Sequence, residues 1–436
     1  MANAGPSSGD RIVGSFLRLS SVFALGLPLA VLTNIVLARI LPTAEFGRYG
    51  LALAFATVLS IPIVSGMPIL LMREVSGYAV DRRWARYRAL MAAASGWAIL
   101  YSLLTIIGFF AFLHLTGAQT IRGLAPDALL TPLLIVPALS GIAIASGALR
   151  GFGNAPLAAL PQQILLQLLL IAGFLVLARF GDVSARQALH WYLGASVITM
   201  LVLVALLRLR APVDRSAPGF DFSDRHVWLK SYLPFMAIGA VSILTTNLAI
   251  LLMGFYGLDE GVAHLRVAER GAQLVMFPLN ILNTVIGPRV VELWKHRDVE
   301  GLRDLAQSST RMLLLFAAPI AAILILFGRP ILGLTFGPDY ADTSYWPMVV
   351  LVVAQLVFTA LGSAGAILAM TGNERVIVFC QIAGLAVLAA SAMFLIPHYG
   401  AVGAAIGAGA GLLVTKALLV VFVWRHLSFW PGVAMR

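Results

Sequence analysis

Charge is scarce in this chain. Only 11% of its 436 residues are Asp, Glu, Lys or Arg, too few to cover a soluble protein of this size. Residues 89–121, 343–373 and 376–415 carry none at all. Cysteine is nearly absent too: Cys380 stands alone, which excludes an intrachain disulfide and a cysteine-based metal site. Acids number 19, and nearly all of them lie between the apolar runs. No GxxxxGK[ST] loop and no HExxH helix occurs, so nothing points to ATP hydrolysis or zinc peptidase chemistry. Gly5-Pro6-Ser7-Ser8-Gly9 matches a nucleophile elbow only in letters, because no strand precedes it.

What is present is apolar. Hydrophobic residues make up 60% of the chain, and the mean hydropathy is +0.93. A helix needs about 20 apolar residues to cross the hydrocarbon core. Its backbone groups must pair internally there. The runs are too long for the roughly ten-residue strands of a barrel. The sequence therefore predicts an all-alpha polytopic membrane protein of about 12 transmembrane helices. The expected spans are approximately 12–38, 48–72, 89–116, 127–149, 158–179, 188–208, 229–256, 262–288, 308–328, 347–370, 375–396 and 401–424. The last two are separated at Pro397-His398-Tyr399-Gly400, which are turn formers at both ends. The first run is too long for a cleaved signal peptide and reads as a retained helix.

Basic residues orient these spans. With the N-terminus placed in the cytoplasm, 22 of the 30 Lys and Arg fall on that side, as retention of positive charge requires. An even helix count returns the C-terminus to the same side. The net charge of +11 is then explained by anionic headgroups rather than nucleic acid. The longest polar linker, 209–228, divides the chain. The expected organisation is a disordered cytoplasmic tail 1–11, a six-helix bundle 12–208, a cytoplasmic linker 209–228, a second six-helix bundle 229–425 and a tail 426–436. Both halves start on the same side, so a repeat would be parallel. Thr33-Asn34, Glu45-Phe46-Gly47 and Pro62 are echoed by Thr246-Asn247, Glu260-Gly261 and Pro278.

Charges in or beside the spans carry the functional reading. A central Arg or Lys costs about 2.5–3.5 kcal/mol on insertion scales, so such residues face a protein interior or a wet cavity. Arg266 and Arg270 share a face of the eighth helix. Glu269 lies three residues from Arg266, and Gln273 continues the arginine face. Two readings stand: an outer-rim ion pair with snorkelling side chains, or an anion-binding wall. Asn280 and Asn283, deeper in that helix, suit sugar hydroxyls or a bridge between two helices. Arg18 and Lys416 each lie about two turns inside a span, and Arg39 ends the first one. The cluster Arg82, Arg83, Arg86 and Arg88 reads as a basic segment at the inner surface. The acid pairs Asp221/Asp224 and Asp339/Asp342 read as solvated loop acids, and so does the group Asp259, Glu260 and His264. The glycines and alanines of 400–411 permit close helix contact.

Several segments carry a resemblance. Leu37-Ala38-Arg39-Ile40-Leu41-Pro42-Thr43-Ala44-Glu45-Phe46-Gly47-Arg48-Tyr49-Gly50 resembles the first-to-second helix signature of the polysaccharide flippases, within the multidrug/oligosaccharidyl-lipid/polysaccharide exporter superfamily. Arg73-Glu74-Val75, Leu149-Arg150-Gly151-Phe152-Gly153-Asn154 and Gly257-Leu258-Asp259-Glu260-Gly261-Val262 resemble later segments of that family. So do Phe277-Pro278-Leu279-Asn280, Thr371-Gly372-Asn373-Glu374-Arg375 and the run from Ile396 to Ala405. The resemblance implies two six-helix bundles around a central cavity. It implies flipping of a polyprenyl-diphosphate-linked oligosaccharide to the outer leaflet of a bacterial inner membrane, for lipopolysaccharide-type surface polysaccharide. Arg18, Arg39, Arg266, Arg270 and Lys416 become candidates for the diphosphate, with Asn280 and Asn283 beside them. No cofactor and no covalent chemistry is expected. Polymerases or glycosyltransferases are the expected partners, and nucleic acid is not. The alternative is a cation-coupled multidrug exporter of the same superfamily, which would need acids buried in its helices. Twelve helices are two fewer than peptidoglycan-precursor flippases of the superfamily usually carry.

Overall fold

A computed structural model describes residues 8–116, 126–212, 219–427 and 429–432. The expected tail 1–11 and the middle of the linker lie largely outside the described residues. Every regular element described is helical. The helices are α1 (Ser8–Ile40), α2 (Thr43–Leu59), α3 (Ile61–Val64), α4 (Met67–Val80), α5 (Trp84–Thr116) and α6 (Pro126–Gly151). They continue as α7 (Ala155–Leu160), a π turn (Pro161–Leu165), α8 (Leu166–Leu177), α9 (Ala185–Arg210), α10 (Arg225–Phe255) and α11 (Asp259–Lys295). The rest are α12 (Val299–Leu326), α13 (Gly328–Thr335), α14 (Pro338–Thr343), α15 (Tyr345–Ala360), α16 (Ala364–Met370) and α17 (Glu374–Leu427). Among the described residues, eight helices are long and apolar enough to cross a membrane, or up to ten if each of two bent pairs counts as one span. This is a multi-pass membrane protein.

Local sequence sets the helix ends. Ser184 and Gln187 form a reciprocal capping box at the start of α9. That helix stops at Ala211, whose extended backbone is what the following Pro212 demands. Gly153 (φ 76°) and Gly257 (φ 72°) close α6 and α10 in the left-handed region, where a side chain is disfavoured.

Two spans expected to be continuous are broken. The segment 43–80 bends by 55° between α2 and α3/α4. Pro62 and Pro68 sit in the first turns of the two following helices, where a missing N–H is tolerated, but neither can donate the bond that would continue the preceding helix. Ser65 Oγ donates to the carbonyls of Ile61 (2.5 Å) and Met236 (3.2 Å), which satisfies part of the break. The segment 345–370 bends by 50° between α15 and α16, around Gly362 at φ 82°. The expected turn at Pro397–Gly400 is present: α17 is two helices joined at Gly400, whose backbone is non-helical.

The chain forms two compact units: residues 1–41 with 52–243, and residues 42–51 with 244–436. The boundaries therefore fall inside α2 and α10. In the first unit α6 is the central helix, 78% buried over its apolar stretch. Its core includes Ile63, Leu71, Leu90, Leu149 and Leu203. In the second unit the two arms of α17 pack against each other. Gly407 meets Ala392, and Gly411 meets Leu388. Gly403 meets Leu395, and Gly384 meets Thr415. Each pair is symmetric about Tyr399–Gly400, so the arms form an antiparallel hairpin whose small residues allow close approach.

Candidate functional site

The second unit holds the basic face of α11. Its first turn packs on the first turns of α2. Gly47 makes this possible, because a Cβ there would run into the Asp259 backbone carbonyl. Arg48 spans the contact, with Nε 2.9 Å from Asp259 Oδ2 and Nη1 2.7 Å from Glu45 Oε1. One turn further, Gly50 leaves the room that the Arg266 side chain fills. A Cβ on Gly50 would lie 2.6 Å from Arg266 Cδ and 2.7 Å from its Nε. Arg270 follows on the same face and donates from Nη1 to Gln273 Oε1 at 2.9 Å. Tyr49, only 3% exposed, adjoins it. Glu269 lies between the two arginines and is attracted by both. Arg266, Glu269 and Arg270 are each half-buried. The sequence signal for this arrangement was the spacing of the charges. Gly47 and Gly50 stood out only as members of the family-like run 37–50, and what they seat shows once the two segments meet.

Lys416 lies elsewhere in the same unit, on the second arm of α17. It is 2% exposed. Its Nζ donates to the Gly362 carbonyl at the break between α15 and α16. The ammonium sits 4.1 Å from the centroid of the Phe358 ring, a cation–π contact in a desolvated setting. In this form Lys416 is enclosed by protein. The C-terminal segment covers the same break: Thr310 Oγ1 donates to the Pro431 carbonyl at 3.2 Å, and Phe429 is 5% exposed.

In the first unit, Arg39 is exposed in the last turn of α1, where a cation complements the helix C-terminus. Arg18 lies in α1, and Asn280 and Asn283 lie in α11. Their side chains fall outside the described residues. A polar group that sequence reasoning missed lies between α1, the π turn and the first turn of α8. Thr33 Oγ1 donates to Gln167 Oε1 at 2.9 Å, and Gly26 packs directly on Gln163. The π turn at Pro161–Leu165 is the kind of irregularity often found at functional positions. Its sequence signal was the paired Gln162-Gln163 after a proline.

Two readings of solvated charge need correction. Asp221 and Asp224 do not simply face water, because both pair with Arg86, at 2.9 and 3.0 Å. Asp224 also accepts from the Tyr78 hydroxyl at 2.8 Å. The Ser223 amide and hydroxyl, and then the Arg86 guanidinium, hold the Asp221 carboxyl down to about 2. His264 is half-buried, with Nδ1 3.0 Å from Thr343 Oγ1 and its ring edge-on to Tyr340. Among the described residues no group of three or more His, Cys, Asp or Glu is placed to hold a metal ion.

Comparison with known proteins agrees with this architecture. No curated protein sequence matches the chain. An inward-closed structure of the lipid II flippase MurJ is similar, with a TM-score of 0.75 and 15% identity over 93% of this chain and 87% of that one. An inward-facing multidrug resistance MATE transporter of the MOP superfamily gives 0.71 and 16%, over 95% and 98%. A MOP superfamily transporter from Pyrococcus furiosus, described as having a binding pocket of reversed polarity, gives 0.64 and 17%, over 95% of each chain. The likeness in each case is one of fold. The family model described as "Polysaccharide biosynthesis protein" matches residues 13–294. The chain belongs to that polysaccharide biosynthesis family.

Proposed function

We propose that the protein flips a polyprenyl-diphosphate-linked oligosaccharide from the inner to the outer leaflet of a bacterial inner membrane, by alternating access. The observation that carries this reading is the basic face of α11. Arg266 and Arg270 are one turn apart and half-buried in a membrane protein, and Gln273 extends them. A diphosphate needs charge-assisted donors of this kind, and its path across a core about 30 Å thick must be wet. Arg18, Arg39 and Lys416 are proposed as further contacts to the headgroup, with Asn280 and Asn283 meeting sugars. Lys416 would reach it only when the α15–α16 break opens. Membership of the polysaccharide biosynthesis family supports a glycan cargo. Glu269 sits between two arginines, a poor setting for a coupling cation or a cationic drug, which weighs against the multidrug alternative. No covalent step is involved.

The same proposal sets the architecture. The eight long helices, the two bent pairs, the arm of α17 beyond Gly400 and α11 make twelve crossings. We assign them to two six-helix bundles joined by 209–228 around a central cavity, with both termini cytoplasmic. Polymerases or glycosyltransferases would act on the product. The test is reconstitution in liposomes with a fluorescent polyprenyl-diphosphate sugar. Leaflet exchange above that of protein-free vesicles is expected, and Arg270→Ala should slow it far more than Arg83→Ala. No exchange from folded protein, or equal effects of the two substitutions, would remove the basis for the assignment.

A further inference from the structure

The first unit contains a groove of about 600 Å³ that none of the charge arguments above uses. It runs between α5, α6 and α9. Tyr87, Met91 and Ile99 line it from α5, Gly141 from α6, and Met200 and Arg208 from α9. Its size is that of a small-molecule site. Its lining is apolar apart from Ser95, the Tyr87 hydroxyl and Arg208. Two thioethers give its walls adaptable shape, and Gly141 leaves the space that the Met200 side chain occupies.

The polar end has a fixed place. Tyr87 lies one turn from the start of α5, and Arg208 lies in the last turn of α9. The linker is fastened at that same end: the Asp221 amide donates to the Ala85 carbonyl at 3.3 Å, and Arg88 Nε donates to the Gly219 carbonyl at 3.2 Å. The mouth is therefore at a membrane surface, and the apolar part runs inward from it. Arg208 is exposed at this mouth. Arg86 is occupied by two carboxylates, whereas no ion pair to Arg208 is formed among the described residues.

Length decides the occupant. From Tyr87 to Ile99 is twelve helical residues, roughly 18 Å at 1.5 Å per residue. That is close to one leaflet of a core about 30 Å thick, roughly 15 Å. A fatty acyl chain fits that depth, whereas a long polyprenyl chain would overrun it. We infer that this groove is a binding site for an anionic glycerophospholipid of the adjacent leaflet. One acyl chain lies along Met91 and Met200, and the phosphate is held by Arg208. The site goes beyond the flipping reading and does not depend on it.

Native mass spectrometry of the full-length protein in neutral detergent tests this. The probes are phosphatidylglycerol and phosphatidylcholine with identical acyl chains, and a 55-carbon polyprenyl monophosphate. Phosphatidylglycerol should bind about ten-fold more tightly than phosphatidylcholine, whose phosphate charge is already offset by its own trimethylammonium group. Arg208→Gln should abolish that preference, and Arg210→Gln, two residues away and outside the lining, should keep it. Ser95→Phe, which narrows the groove, should weaken both phospholipids. Thermal melts of each variant confirm folding. Equal binding of the two phospholipids by wild type, or loss of preference in Arg210→Gln, would overturn the assignment. Displacement of phosphatidylglycerol by an equal concentration of polyprenyl phosphate would overturn it as well, by giving the groove to a polyprenyl tail.

Discussion

Arg86 reaches across 138 positions of sequence to Asp224, with Nη1 3.0 Å from Oδ2. This contact is the centre of a small network that fastens the end of the linker to the first unit. The same Asp224 oxygen accepts from the Tyr78 hydroxyl, and that hydroxyl accepts in turn from Trp228 Nε1, both at 2.8 Å. Trp228 is 5% exposed. Tyr78→Phe should therefore leave a buried indole N–H without a partner, at a cost of about 1–3 kcal/mol. Chemical unfolding in detergent checks this. Trp228→Phe in the Tyr78→Phe background should cost less than in wild type, because the orphaned donor is then gone.

The network also predicts a dependence on acid. The Asp221 carboxyl is held down to about 2 in the folded protein by Ser223 and Arg86, below its usual value near 4. A depressed carboxylate contributes stability that is present above its unfolded pKa and lost as pH falls through the folded one. Linker docking should thus be unaffected from neutral pH down to about 4 and loosen between about 4 and 2. Limited pepsin digestion at Phe220 and Phe222 across that window measures it. Asp221→Asn should flatten the part of the pH response that this carboxyl contributes.

The α2–α11 contact predicts a contrast between glycines. Gly47→Ala would push a methyl against the Asp259 backbone, which has no flexible side chain to move aside. A destabilisation of about 1–3 kcal/mol is expected, read as a lowered melting temperature in detergent. Gly96, in α5, has nothing within 4 Å of its missing Cβ. Gly96→Ala should be neutral or slightly stabilising, because alanine restricts the unfolded chain. Equal effects at the two positions would mean that α2 does not approach α11 as described.

These contacts mark what was legible in the sequence. Eight to ten long apolar helices were, because lipid imposes long apolar runs whatever the partner helix. The turn at Gly400 was, because Pro397 and Gly400 act on their own backbone. The breaks near Ser65 and Gly362 were not. Pro62 and Pro68 tolerate either a kink or a straight helix, and Met236, far away in sequence, packs on the first break, as Pro431 packs on the break at Gly362. Arg266 and Arg270 announced themselves by spacing, but the seat of Arg266 depends on Gly50, whose role shows only once α2 meets α11. Asp221 and Asp224 looked solvated because their partner Arg86 belongs to a cluster that topology already explained. Charge placement is local information, whereas pairing is tertiary.

Lys416 and Gly362 supply the test that separates a structural cation from a working one. Lys416→Ala removes most of a buried side chain and should cost about 2–5 kcal/mol, as large-to-small core changes do. A loss of leaflet exchange in that variant would therefore be uninformative. Lys416→Met keeps the volume and removes the charge. Its lost hydrogen bond to the Gly362 carbonyl is offset by the relief of burying an ammonium, so stability should change little. If Lys416 meets the diphosphate when the break opens, exchange should fall at least ten-fold in Lys416→Met at unchanged melting temperature. Gly362→Ala should behave in the opposite way. Its φ of 82° is disfavoured for alanine, and its new methyl would press on the Pro431 carbonyl. That variant should therefore melt earlier, while its exchange per folded molecule stays near that of the wild type. If Lys416→Met flips normally, the ammonium is only a prop for the broken helix, and the headgroup contacts reduce to the arginines.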